Sequence, residues 1–292
     1  MYQGKKVAAI IPAFNEALSI GLVVGELVAL DRNGVSVFDQ VIVCDNASTD
    51  ATAQIAADAG AMVVYEPKAG YGRACMRALA EVAPNSIVVF VDGDYSVLTD
   101  EIPSLLQKLS DTNTLIIGSR GNSGCEPGAM TPQQIFGNRL ASWLMRKLWH
   151  RQTTDLGPLR ALHMETLCVL DMQEPTYGWT MEMQAKALKS GLAVVEVPVS
   201  TRKRLGKSKV SGTWRGTFGA GWGILSTLGR VWLGRYQPPT TTYRSAGIRT
   251  PVIRVRRDQT LSQDLVQGAE ASDSVQVRYP RTKAPSDQRK TG

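Results

Sequence analysis

Short apolar runs rich in β-branched residues recur along the chain: Val7 to Ile11, Val41 to Cys44, Met62 to Tyr65, Ile87 to Val91, Leu115 to Ile117 and Ala193 to Val197. They are apolar throughout rather than alternating, which marks strands covered on both faces. Between them, the segments Glu16 to Leu30, Asp50 to Ala59, Tyr71 to Val82 and Asp100 to Leu109 read as helices. This alternation predicts an α/β fold with a mostly parallel sheet flanked by helices. Ligands then bind at the carboxyl ends of the strands. After Ser119 the rhythm changes to a Gly-rich loop, Gly121 to Met130, followed by an amphipathic helix with apolar positions Ile135, Phe136, Leu140, Trp143, Leu144 and Leu148. Farther on, Trp214, Phe218, Trp222, Leu225, Gly229 and Trp232 fall at helical spacing beside Arg215, Arg230 and Arg235. Such a stripe either packs onto the main domain or lies at a membrane interface.

Composition narrows this picture. The 292 residues, 43% of them hydrophobic, suffice for one large α/β domain with extras. Four widely separated cysteines with no Cys-x-x-Cys suggest neither a disulfide framework nor a zinc knot, and a reducing cytoplasmic setting is expected. His150 and His163 are the only histidines, which argues against a histidine-ligated metal. The amino terminus runs directly into a strand, so no signal peptide is expected. No apolar stretch approaches the ~20 residues that span a bilayer, so any membrane contact is expected to be peripheral, on the cytoplasmic face. From Tyr236 the chain lacks periodicity and carries 10 Lys and Arg against 5 Asp and Glu, predicting a basic, disordered tail. That tail holds +5 of the net charge of +7, so the nearly neutral body offers no nucleic-acid groove.

The candidate chemistry clusters at strand ends. Asp92-Gly93-Asp94 leaves the run Ser86 to Val91, and residues two apart on a strand share a face. Both acids can converge on one hard cation, Mg2+ or Mn2+, that also takes substrate phosphate oxygens; the same tripeptide is also ordinary turn chemistry. The first strand exits through Pro12-Ala13-Phe14-Asn15-Glu16, not through a Gly-x-Gly-x-x-Gly dinucleotide loop. The second exits through Asp45 to Asp50. There Asp45 suits a base or ribose, and Asp50 suits a helix start. Glu66 to Arg73, with Lys68 and Gly72, is a glycine-rich turn fit either to approach a phosphate or to serve as a solvated loop.

Pro12 to Glu16, Asp45 to Asp50, Lys68 to Gly72, Asp92 to Asp94 and Gly118-Ser119-Arg120, in that order, resemble the signature of family 2 glycosyltransferases with the GT-A fold. Asp155 to Arg160, Tyr177 to Glu182 and Arg202 to Lys209 are similar to the dolichyl-phosphate mannose or glucose synthase branch. The resemblance covers residues 5 to 212 or so. It implies a Rossmann-like nucleotide-binding half plus an acceptor half in a catalytic domain over 1–212; the aromatic stripe gives a helical segment over 213–235, and the aperiodic composition gives the tail over 236–292. It also implies an inverting transfer from a UDP- or GDP-sugar to an acceptor, with polyprenyl phosphate favoured. Pro12, Ala13, Asn15, Glu16, Asp45, Lys68 and Gly72 would hold the donor. Asp92 and Asp94, across Gly93, would hold the metal, and Arg120, Arg202, Arg204 and Lys207 the phosphates.

One position departs from the branch: Ser96 stands where a glutamine often assists the metal. Glu182 separates two mechanisms. A hydroxyl acceptor on a glycan, lipid or metabolite needs a general base, which Glu182 would supply; an anionic lipid phosphate needs none. A non-catalytic nucleotide-binding scaffold is the reading from another class, and an intact pair of acids weighs against it.

Overall fold

The computed structural model describes residues 1–120, 125–206 and 225–234. At its centre lie strands β1 (Val7–Ala13), β4 (Gln40–Asp45), β5 (Met62–Tyr65), β6 (Ile87–Phe90), β7 (Thr114–Ser119), β8 (Arg160–His163) and β9 (Ala193–Pro198). They form one sheet in the order β5-β4-β1-β6-β8-β7-β9. Strand β8 runs antiparallel to both neighbours, and the remaining pairings are parallel. A small hairpin, β2 (Asp31–Arg32) with β3 (Val35–Ser36), stands apart.

Continuous apolar strands demand cover on both sides, and the helices supply it. Alternate residues of β1 divide between two cores. Val7, Ala9 and Ile11 meet α1 (Ile20–Ala29) and α4 (Ile102–Leu106). Ala8 and Ile10 meet α3 (Tyr71–Leu79), α6 (Met164–Leu170) and α7 (Trp179–Lys189). Helix α2 (Thr52–Asp58) leans on α1 and adds Ala56 to the first core. Phe90 meets Trp179 edge-on, with ring centroids 6.3 Å apart. Side chains of this size each contribute about 1.5–3 kcal/mol on burial.

The six expected strands are present with small shifts at their ends. β8 was not expected, because Arg160 and His163 interrupt its apolar character, yet both are buried. Helix α5 (Pro132–Trp149) begins with a Thr131–Gln134 capping box. Its core face is Ala141 and Met145, with Leu144 and Leu148 beside them. Phe136 and Trp143 instead face solvent, 70% and 48% exposed. The reason is size: small Ala141 lets α5 sit close to Met181, Ala185 and Leu188 of α7. Residues 225–232 are helical and bury Leu228 and Val231 in the same cluster. Trp214, Phe218, Trp222, Arg235 and the tail lie outside the described residues.

The chain visits β4 and β5 on one side of β1 and then returns to β6 on the other. That reversal opens a crevice beyond the carboxyl ends of β1 and β6, where Asp92 and Asp94 emerge.

His163 sits at the opposite end of the sheet, and among the described residues neither ring nitrogen has a hydrogen-bond partner. Burial holds its pKa below the ordinary histidine value. A lowered pKa means that the unfolded chain takes the proton first, so stability falls as pH drops through and below about 6.5. Chemical denaturation across that range should show His163→Leu with a flatter pH profile than the native chain and no loss of stability at neutral pH.

Candidate active site

The loops at three adjacent strand ends fold back through left-handed residues: Asn15 (φ 52°) after β1, Ala47 (φ 60°) after β4 and Tyr95 (φ 63°) after β6. Non-glycine residues in this region cost energy and gather at functional sites. Asn15 donates its amide to Ser48 Oγ at 2.9 Å and accepts from the Thr49 amide at 2.8 Å. Buried Asp45 accepts from the Ser48 amide at 3.2 Å. Asn46 is the hub of the group. Its side chain donates to the carbonyls of Glu66 and Lys68 at 3.1 and 2.8 Å and accepts from the Gly70 amide at 2.8 Å.

The segments 12–16, 45–50 and 66–70 therefore form one hydrogen-bonded surface. Pro12 and Ala13 pair in register with Cys44 and Asp45. Glu16 donates its amide to Thr52, and its carboxylate accepts from Ser19. Asp50 accepts from the amides of Thr52 and Ala17, which is the structural role expected for it. The side chain of Lys68 is exposed. Gly72 turns away from this surface, and a Cβ there would lie 1.9 Å from the Glu174 carbonyl oxygen. It is the point where α3 presses on the loop at 173–176.

Beyond β6 the two acids differ. Asp92 faces a cleft of about 230 Å³ and accepts from the Tyr71 hydroxyl at 3.0 Å. Burial, with Asp94 adding repulsion, raises its pKa to about 6. Asp94 is 5% exposed. Its Oδ1 accepts from the Ser96 amide and hydroxyl at 3.0 and 2.6 Å, and its Oδ2 meets Arg204 Nη2 at 2.6 Å. Gly93 accepts from Ser19 Oγ at 2.7 Å, which ties the turn to α1.

Among the described residues no group of three or more His, Cys, Asp or Glu side chains gathers as a metal cluster. Two carboxylate donors at an arginine-lined cleft still suit Mg2+ or Mn2+, which complete their shells with water and phosphate oxygen. Ser96 spends its hydroxyl on Asp94 and offers little to a metal.

Three arginines line the cleft with Asp92: Arg120, Arg202 and Arg204. Each is held by its own acid. Arg120 forks onto Asp155 through Nε at 3.0 Å and Nη2 at 2.8 Å, with Asp155 fully buried. Arg202 reaches Glu26 at 3.0 Å and stacks 3.5 Å from the Tyr95 ring centroid. A guanidinium has five N–H donors, so such a pair can persist while an anion binds. Arg160 lies buried behind the cleft, and among the described residues its hydrogen-bond partners are neutral: the carbonyls of Gly157 and Thr180 and the Gln184 side chain. Desolvation brings its pKa down to about 10.

Glu182 does not join this group. It is buried beneath the loop at 173–176, where its carboxylate accepts from the amides of Gln173 and Glu174 and pairs with Lys186 at 2.9 Å. A carboxylate saturated in this way holds a loop and is not placed to take a proton in the cleft. Lys207 lies outside the described residues. Tyr71, Asp155 and Arg160 were not singled out from sequence. Asp155 and Arg160 stand within a quoted motif, and Tyr71 directly follows Gly70, so motif membership was the signal available for each.

The model of the family described as "Glycosyl transferase family 2" matches residues 8–167. The chain belongs to that family. An uncharacterized glycosyltransferase of Mycobacterium tuberculosis is 34% identical to it over 73% of this chain and 94% of that one. A dolichyl-phosphate hexose transferase of Haloferax volcanii is 30% identical over 72% of this chain and 88% of that one. Among solved structures, glucosyl-3-phosphoglycerate synthase from M. tuberculosis, in complex with Mn2+, UDP and phosphoglyceric acid, superposes with a TM-score of 0.62 at 20% identity, covering 78% of each chain. The protein is thus a glycosyltransferase with the GT-A fold.

In this glycosyltransferase the Arg120–Asp155 pair joins two strand-end motifs, and Gly157 packs so tightly there that a Cβ would lie 1.9 Å from the Gly118 carbonyl oxygen. Removing one partner strands the other charge in a largely dry site. Asp155→Ala should therefore lose about 3–5 kcal/mol of stability, measured by equilibrium urea unfolding.

Proposed function

We propose that the protein is an inverting, metal-dependent hexosyltransferase that moves a sugar from a UDP- or GDP-sugar to a polyprenyl phosphate. The observation that carries this reading is the set of donors in the cleft: among its described lining are three arginines, each anchored by an acid and with N–H donors to spare, beside one carboxylate, Asp92. Such a site suits a donor diphosphate and a second phosphate as acceptor. The engagement of Glu182 adds support, because a hydroxyl acceptor would need a base and a phosphate oxygen does not. The name of the dolichyl-phosphate relative points the same way.

The surface built by Pro12 to Glu16, Asp45 and the turn at Lys68 would hold the nucleoside. A divalent ion on Asp92 and Asp94 would stabilise the negative charge that grows on the departing diphosphate. Arg120 and Arg204 orient phosphate oxygens in the cleft, and Tyr71 fixes the Asp92 carboxylate. The acceptor oxygen attacks the anomeric carbon from the face opposite the leaving group. The bond from that carbon to the diphosphate oxygen breaks with its electron pair going to the oxygen, and no proton is transferred.

A lipid acceptor requires a bilayer within reach. No described helix is long and apolar enough to cross one. Helix α5 instead has no Asp or Glu among its 18 residues, exposes Phe136 and Trp143, and flanks them with exposed Arg139, Arg146 and Lys147. Aromatic residues between cations suit the interface of an anionic membrane. The same helix begins at the cleft, which Gln134 lines, so its outer face would bring the lipid phosphate toward the arginines. The four unpaired cysteines fit the cytoplasmic leaflet.

The test is a donor panel of UDP- and GDP-sugars, with polyprenyl phosphate or simple alcohols as acceptor, with and without Mg2+ or Mn2+. Transfer to the phosphate, lost in chelator and reduced about 10²- to 10³-fold in Asp94→Asn, is the expected result; transfer to alcohols alone would overturn the acceptor. On vesicles containing phosphatidylglycerol, Phe136→Ser with Trp143→Ser should weaken co-sedimentation while leaving turnover of detergent-dispersed acceptor unchanged. Equal binding by the native chain and the double variant would remove α5 as the membrane face.

A further inference from the structure

The segment 201–206 closes one side of the cleft and is stitched to the residues that follow the metal acids. Thr201 bridges antiparallel to Val97, the Arg202 amide donates to the Ser96 carbonyl at 3.0 Å, and the Leu205 amide donates to the Asp94 carbonyl at 3.0 Å. Arg204 is thereby delivered onto Asp94 Oδ2, while Ser96 fills Oδ1. Asp94 is buried, so an uncompensated negative charge there would be costly. Asp92, by contrast, opens to the cleft and has the neutral Tyr71 hydroxyl as its partner.

We infer that Arg204 is the internal counter-ion of Asp94, exchanged for the divalent cation when the site loads and handed over to the donor diphosphate. The inference rests on the reading of Asp92 and Asp94 as the metal pair. Two cations have a claim on one carboxylate oxygen, and like charges at that distance repel. Asp94 therefore binds a metal ion weakly while Arg204 has nowhere else to go. A diphosphate in the cleft gives the guanidinium a second anion, for which its planar fork is well suited. Because Arg204 already lines the cleft, a side-chain rotation serves for the exchange. Metal and nucleotide then assist each other's binding, and by linkage the assistance is reciprocal. Arg204 acts here as a positioning residue, through the occupancy of Asp94, and not on the sugar itself.

Equilibrium binding decides the matter without any transfer reaction. Mn2+ alone, and Mn2+ with UDP or GDP, would be titrated into the full chain and followed by the electron paramagnetic resonance signal of free Mn2+. The native protein should bind Mn2+ weakly by itself and about 5- to 150-fold more tightly with the matching nucleotide, the usual range for coupled sites. Arg204→Gln should bind Mn2+ alone more tightly than the native chain and lose most of the nucleotide enhancement. Arg204→Lys, which keeps the charge and loses the fork, should fall between the two. Thermal melts in EDTA report folding independently: Arg204→Gln should melt lower than the native chain, and Mn2+ should raise its Tm by more. If Arg204→Gln binds Mn2+ no more tightly than the native chain, the exchange is wrong while the metal site stands. Absence of Mn2+ binding in every protein, with or without nucleotide, overturns the metal pair and the exchange together.

Discussion

Two carboxylates placed one residue apart at the end of a buried strand repel each other, and burial deepens the cost. Much of the surrounding chain is arranged to offset that charge. Tyr71 brings a hydroxyl from the start of α3, Arg204 brings a cation from the segment after β9, and Ser96 folds back from the same turn. What remains unsatisfied is Asp92, whose pKa stays high at the mouth of the cleft. A group whose charge the protein has only partly offset is well suited to a cationic ligand.

The polar half of the molecule is held together differently from the apolar half. Below the strand ends, Val, Ile and Leu on alternate faces fill two cores, and contacts there are non-directional. Above them, acid–arginine pairs connect remote segments: Arg120 to Asp155, Arg202 to Glu26, Arg230 to Glu174. The two-nitrogen fork of Arg120 on Asp155 fixes a guanidinium plane, which non-directional packing cannot do. The Glu174 pair also ties down the loop at 173–176, against whose backbone Gly72 packs. Its carboxylate meets Thr176, Thr227 and Arg230, and its amide rests on Glu182.

Sequence revealed the sheet and the strand-end motifs because both are local. A run such as Ile87 to Val91 announces burial by itself, and the acids that follow it need no distant partner to be noticed. The arginine pairs could not be read in that way, since Arg202 and Glu26 are 176 positions apart. β8 escaped because Arg160 and His163 are acceptable in a core only through contacts made by other elements. The apolar positions of α5 did not by themselves define its core face, for a related reason. Phe136 and Trp143 are apolar but exposed, whereas close packing against α7 favours Ala141. Glu182 showed the limit of motif position, because the residue type is as expected and its environment, two backbone amides with Lys186, is not.

The fork between Arg120 and Asp155 has an evolutionary side. A change at either position alone leaves a charge buried beside the chemistry, so descendants of this chain can drift there only by passing through a damaged intermediate or by changing both residues at once. The loops after β1 and β4 meet through neutral hydrogen bonds, those of Asn15 with Ser48 and Thr49 and of Asn46 with the turn at 66–70. Loss of one such neutral bond costs less than a stranded charge, so change there is open to single steps, while the Arg120–Asp155 fork is inherited as a block.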